Sequence, residues 1–271
     1  MDTQPCAAAQ QGVPNDLPAQ IAAAFCNRPI PVRAETYLRS WPSHSKPVAL
    51  MCEGGGKYVV KALQANRIAE MGRVLVNDQI VARLGELIQA SVPHVALIDV
   101  PAELIAHQPE MSHMMAGVAH GSQFVENVTE REVLAHVAIP ENRPRFALLA
   151  ILFGWIGAQD HQFVYSKSAP ELVYSVDHGH FFPGGPAWTE LSLAGAPQPQ
   201  PDIQITNACN TTQPELHQAI RTLAAVGDEA LVSVVSLPPD EWGLTMGDRV
   251  ALLNFLKNRR AGLLAMLPPE N

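Results

Sequence analysis

The sequence predicts an α+β chain built in two parts: a small β-rich unit with one packed helix, then a larger, mainly helical unit. Three observations predict it. In PVALMCEGGGKYVVKAL two apolar, partly β-branched runs flank three consecutive glycines, the pattern of a hairpin whose turn needs positive φ. VLVNDQIVARLGELIQ then sets Val76, Ile80, Leu84, Leu87 and Ile88 at helical spacing. RPRFALLAILFGWIG, residues 143–157, is apolar on every side and too long for a strand, so it reads as a buried helix at the centre of a second unit.

Residues 1–30, rich in Ala, Gln and Pro, read as a loose N-terminal arm with one short helix through residues 21–25. Residues 31–104 form the β-rich unit. Within it Gly54, Gly55 and Gly56 make the hairpin turn, Pro93 forbids continuation of the helix, and VPHVALIDV is a further strand. Residues 105–271 form the larger unit. After its buried helix, QFVYSKSAPELVYSVDHGHFF alternates around residues 166–170 as a second hairpin would. Residues 194–204 are a Pro-rich loop, and amphipathic segments 213–225 and 245–266 close the chain as helices.

With 271 residues, 47% of them hydrophobic, the chain can bury a substantial core, in keeping with one large domain or two units. A net charge of -8 argues against a phosphate-neutralising surface, so nucleic acid is not an expected partner. The longest apolar run, residues 146–158, falls short of the about 20 residues a membrane span needs. The first residues show no basic segment followed by an apolar one, and a cytoplasmic protein without a membrane partner is expected. Cys6, Cys26, Cys52 and Cys209 are scattered without CxxC spacing and are expected to be isolated reduced thiols.

Lys61 ends the apolar strand YVVKA, where an ammonium is costly unless it meets an anion; the bland alternative is a lysine that snorkels from an edge strand. Asp78 on the following helix is a candidate partner, and Glu86 a second. Asp160 follows the buried helix directly, in WIGAQDHQF, and Asp177 stands after a strand in YSVDHGHFF. Two carboxylates at the ends of neighbouring buried elements suit a general base and a magnesium ligand, since Mg²⁺ is held by one or two carboxylates plus substrate phosphates. Either aspartate alone reads equally as a helix or turn cap. His161, His178 and His180 have no zinc spacing and are expected as hydrogen-bonded histidines, while His107, His113 and His120 read as solvent-facing or packing residues in loops.

The order SHSKPVALMCEGGGKYVVKA, VNDQIVARLGELI, WIGAQDHQF, VYSVDHGHFF resembles the HipA-like kinases, over roughly residues 33–190. The resemblance implies a two-lobed protein-kinase-like fold, with ATP and Mg²⁺ bound between the lobes. It implies that the loop Ser43, His44, Ser45, Lys46 and the strand residue Lys61 hold the phosphates, although amides of the glycine turn could also serve an anion. It places Asp78 after Asn77 where the family usually has Glu, Asp160 as the catalytic aspartate, and Asp177 as the metal-binding aspartate of a DFG-like motif. The family's second metal ligand, an asparagine five positions after the catalytic aspartate, falls on Tyr165. The nearby carbonyl of Gln162 is the alternative ligand, and a single metal or loss of phosphoryl transfer are the other readings.

The implied function is an ATP-dependent kinase acting on a hydroxyl, Ser or Thr of a protein first. A small-molecule phosphotransferase and a nucleotide-binding scaffold are the alternatives. HGSQFVEN and FFPGGPAWT are the segments expected to carry the acceptor site.

Overall fold

A computed structural model describes residues 16–131 and 133–269. The first half of the arm, Cys6 included, lies outside them. The rest of the arm contains helix α1, Leu17–Cys26, with Pro18 in its first turn and Ile21 wholly buried. Cys26 is disulfide-bonded, against the expectation of isolated reduced thiols, which describes Cys52 and Cys209. Scattered cysteines carry no spacing that reveals a pair made by tertiary approach.

Five strands close into a barrel: β1 (Val32–Ser40), β2 (Val48–Cys52), β3 (Lys57–Lys61), β4 (Val95–Val100) and β5 (Gly117–Gln123). The expected hairpin is β2 and β3, with Gly54 and Gly55 at φ 77 and 81 in its turn, a region where only glycine sits without strain. The order β1-β2-β3-β5-β4 is completed by a short parallel pairing of β1 with β4. The closed barrel goes beyond the single hairpin and strand read from the sequence. Strand β5 carries two glycines and a polar face, so it lacks the apolar alternation that marks a strand. It lies beyond residue 104 yet pairs with both β3 and β4, and it takes in the HGSQ of a segment expected to be a loop.

The predicted helix is α2, Ile68–Leu87, buried along residues 74–82. Its Leu75, Val76 and Ile80 pack into the main core, while Val48, Leu50, Val60, Ile98 and Ala119 fill the barrel. After the short helix α3 (Ala102–His107) and strand β6 (Val128–Arg131) comes the apolar helix α4, Asn142–Ile156. Eleven of its fifteen residues are buried, among them every one from Leu149 to Ile156, as an all-round apolar sequence requires. Strands β7 (Phe163–Ser166) and β8 (Val173–Ser175) form the second hairpin, and β7 also pairs with β6. Helices α5 (Glu190–Ala194), α6 (Ile203–Cys209), α7 (Gln213–Ala224), α8 (Asp228–Ser236) and α9 (Met246–Leu264) complete the chain. Of these, α7 and α9 match the two predicted segments.

The end of α4 sets up the site. Gly157 takes φ 68 and its successor Ala158 donates back to the Phe153 carbonyl, so the helix stops in a left-handed turn. Arg259 of α9 donates to the carbonyls of Gly154 and Trp155, acceptors that the helix end leaves open, and to that of Pro197. The loop that follows is therefore anchored on both sides.

Candidate active site

A cavity of about 540 Å³ opens where the barrel meets the helical part of the chain. Its walls come from the barrel through Val59, Lys61 and His120, from α2 through Asp78 and Ala82, and from the second hairpin through Gln162, Val164 and Asp177.

Lys61 ends β3 facing this cavity, and Asp78 lies on the face of α2 turned towards it. The Lys61 ammonium donates to Asp78 Oδ2 at 2.7 Å and to Asp177 Oδ1 at 2.6 Å. Burial alone would push the ammonium towards neutrality, yet Asp177 and Asp78 outweigh it and hold its pKa above the ordinary lysine value. Burial pushes Asp78 up against the pull of Lys61, whereas the charge of Lys61 holds Asp177 down. Glu86, the second candidate partner, is engaged instead by Arg83 and His94.

Asp177 stands at φ 57, in the left-handed region that aspartate tolerates better than most residues. Asn77, buried beside Asp78, fixes the segment behind it: its amide nitrogen donates to the Gly179 carbonyl at 2.7 Å and its oxygen accepts from Trp188 Nε1. This anchoring role was not read from the sequence. A polar Asn-Asp-Gln run on an otherwise apolar helix was the available signal.

Strand pairing brings Asp160 to the same end of the second hairpin as Asp177. Phe163 pairs with Ser175, and Val176 donates its amide to the Gln162 carbonyl, so the loops carrying the two aspartates leave the ladder side by side. Asp160 is half-buried; its carboxylate accepts from the His161 amide at 2.8 Å and from Gln162 Nε2 at 3.1 Å. Gln162 itself lines the cavity and links Asp160 to it. Its backbone carbonyl is taken by Val176, which leaves the side-chain amide as the end able to face a ligand.

The loop 43–46 divides. Ser43 lines the cavity, whereas His44 is drawn to Glu70 and Arg67, and the Ser45 and Lys46 carbonyls accept from Gln64 and His113. Tyr165 is wholly buried, its hydroxyl donating to the Val133 carbonyl and accepting from the Ala135 amide. His120, expected in a loop, is buried in β5 and lines the cavity. His178 is also buried, with Nε2 3.0 Å from Ser175 Oγ. Among the described residues no cluster of three or more His, Cys, Asp or Glu could hold a metal by itself.

A five-strand barrel with one packed helix, and a strand lysine tied to a helix carboxylate at a cavity wall, define a kinase-like fold of mixed α and β structure. The model of the HipA-like kinase family matches residues 35–182, more than half of the chain, and the chain belongs to that family. The crystal structure of the Helicobacter pylori proinflammatory kinase CtkA is similar, with a TM-score of 0.55 and 9% identity over 87% of this chain and 96% of that one. The crystal structure of the Golgi casein kinase with Mn/ADP bound also aligns, with a TM-score of 0.41 and 12% identity over 90% of this chain and 75% of that one. None of the curated proteins matches the sequence.

Proposed function

We propose that this chain is an ATP- and magnesium-dependent phosphotransferase that moves the γ-phosphoryl group to a hydroxyl, most simply that of a Ser or Thr in a protein. The observation that carries the reading is Lys61 spanning Asp78 and Asp177 on the wall of the cavity. The barrel with α2 and the helical remainder then act as the two lobes of a kinase, joined after β5, with ATP between them.

Phosphoryl transfer asks little covalent chemistry of a protein; positioning and charge neutralisation dominate. In this reading Lys61, oriented by Asp78, meets the phosphates, and Ser43 borders them. Asp160 accepts the proton of the attacking hydroxyl, and its hydrogen bonds to His161 and Gln162 fix the carboxylate that receives it. The oxygen donors of Asp177 and Gln162 suit a hard cation completed by substrate phosphates better than a closed protein cage. Bound there, Mg²⁺ would neutralise charge on the transferring phosphoryl group.

One observation favours the second reading, a nucleotide-binding scaffold. Tyr165 occupies the position of the family's second metal ligand with its hydroxyl committed to two backbone groups. Calorimetry with ATP, with and without magnesium, tests the binding assignment, and undiminished affinity in Lys61→Ala and Asp177→Ala would sink it. ATP turnover in wild type and Asp160→Asn separates the two readings. Loss of a measurable wild-type rate in the variant supports the catalytic role; binding without transfer in wild type supports the scaffold.

A further inference from the structure

The chain between α5 and α6, a Pro-rich loop by its sequence, forms a strut that the chemistry above does not use. Pro197, Pro199 and Pro201 fix φ at every second position along it. The strut crosses two helices where each carries a glycine. A side chain at Gly154 of α4 would run into the Gln200 carbonyl, and one at Gly262 of α9 into the Pro199 ring. Arg259 donates to the Pro197 carbonyl at 2.6 Å. Asp202 ends the strut. Its amide donates to the Ala150 carbonyl at 2.8 Å, and its Oδ1 accepts from the Ile205 amide and caps α6. Its Oδ2 lies 2.9 Å from His161 Nε2.

The second oxygen of Asp202 is thus spent on the residue that follows Asp160. An ionised carboxylate only accepts, so Nε2 carries the proton of this bond. The imidazole is 16% exposed and meets the Phe153 ring edge-on at 5.0 Å between centres, so a ring contact and a hydrogen bond fix it together. The His161 amide donates in turn to Asp160 Oδ1 at 2.8 Å. A continuous set of links therefore runs from α4 and α9 through the strut, Asp202 and His161 to the Asp160 carboxylate. Neither His161 nor Asp202 lines the cavity, so the pair acts on Asp160 and not on a nucleotide bound there.

We propose that His161 and Asp202 are positioning residues, which set the Asp160 carboxylate for the attacking hydroxyl. This rests on the catalytic reading of Asp160 above. The test measures kcat for ATP turnover with saturating ATP and magnesium, and the Kd for ATP by calorimetry, both on the full chain. His161→Leu, which removes the bond to Asp202, should lower kcat about tenfold or more while Kd stays within about twofold of wild type, since a misplacement of about 1 Å costs about a hundredfold in rate. His161→Gln, whose amide nitrogen can donate to Asp202, should recover most of that loss. A wild-type kcat in His161→Leu, an equal fall in its affinity for ATP, or a His161→Gln protein as slow as His161→Leu overturns the inference and leaves Asp160 in its role. Absence of turnover in wild type, or full turnover in Asp160→Asn, overturns the catalytic reading and this inference with it. Should His161→Leu not fold, Asp202→Asn decides. It keeps the shape but offers one acceptor oxygen to two donors, so kcat should fall severalfold at unchanged Kd, and a wild-type kcat overturns the inference.

Discussion

The ammonium of Lys61 lies 2.7 Å from a carboxylate oxygen of Asp78 and 2.6 Å from one of Asp177, so one cation ties β3 both to α2 and to the segment after β8. Asp78 and Lys61 are almost wholly buried, whereas the Asp177 side chain is 36% exposed. The first bond is thus closed off from solvent, and the second is the one open to the cavity.

Lys61→Ala should therefore cost far more stability than an exposed ion pair would. It strands Asp78 in a site where burial already disfavours the charged form, and removing one partner of a buried pair costs about 3–5 kcal/mol. Replacing both partners, Lys61→Met with Asp78→Leu, should recover much of that loss. Urea unfolding checks both: an unchanged midpoint in Lys61→Ala would show that the pair does not hold α2 to the barrel.

Stability should fall on acidification through His120. Its pKa drops from 6.5 to about 3 on folding, chiefly by burial, with Lys61 on β3 and Arg83 on α2 adding to the drop and Asp177 opposing it. Between those values the unfolded chain binds a proton that the folded one refuses, so stability is lost as pH falls through that window. One proton corresponds to about 1.4 kcal/mol per pH unit. Urea midpoints at pH 7, 6 and 5 should show a shallower slope in His120→Leu than in wild type; matching slopes would remove His120 as the cause.

Much of this site was legible in the chain because its parts sit on strongly patterned elements. Lys61 closes a β-branched strand, Asp78 follows Asn77 on an apolar-periodic helix, and Asp160 follows the most hydrophobic run. Their convergence was implied only by the family resemblance; in the structure Lys61, Asp78 and Asp177 meet at the cavity, and Asp160 reaches it through Gln162. This convergence depends on the Val176–Gln162 backbone bond and on the Asn77 contacts with Gly179 and Trp188, which join segments far apart in sequence. Strand β5 escaped for a local reason: glycines and polar residues replace alternation where the strand faces a cavity instead of solvent. The buried Arg259 escaped because its partners are carbonyls, which every residue has.

If Asp160 acts as proposed, Gly157→Ala should separate its loop from ATP binding in the cavity. An L-residue at φ 68 costs about 1–2 kcal/mol, and the added methyl would stand 3.2 Å from Pro183 Cγ. The strain falls three residues before Asp160, and a displacement of about 1 Å in a reacting group can cost about a hundredfold in rate. Turnover should drop by at least tenfold while the Kd for ATP stays within about twofold. A parallel loss of binding would mean that the turn supports the whole cavity.

Tyr165→Asn, which writes the family's usual ligand into the chain, should lower stability without raising turnover. The ring is wholly buried against His136, and the hydroxyl satisfies the Val133 carbonyl and the Ala135 amide. Asparagine leaves both groups unpaired and opens a cavity, together costing about 3–5 kcal/mol. Tyr165→Phe keeps the packing and gives up only the two bonds, so it should cost about 1–3 kcal/mol. Thermal unfolding ranks the three proteins, and ATP turnover reads the chemistry. A Tyr165→Asn protein that turns over ATP faster than wild type would show that this position faces the metal site, and that the hydroxyl contacts seen here do not govern its role.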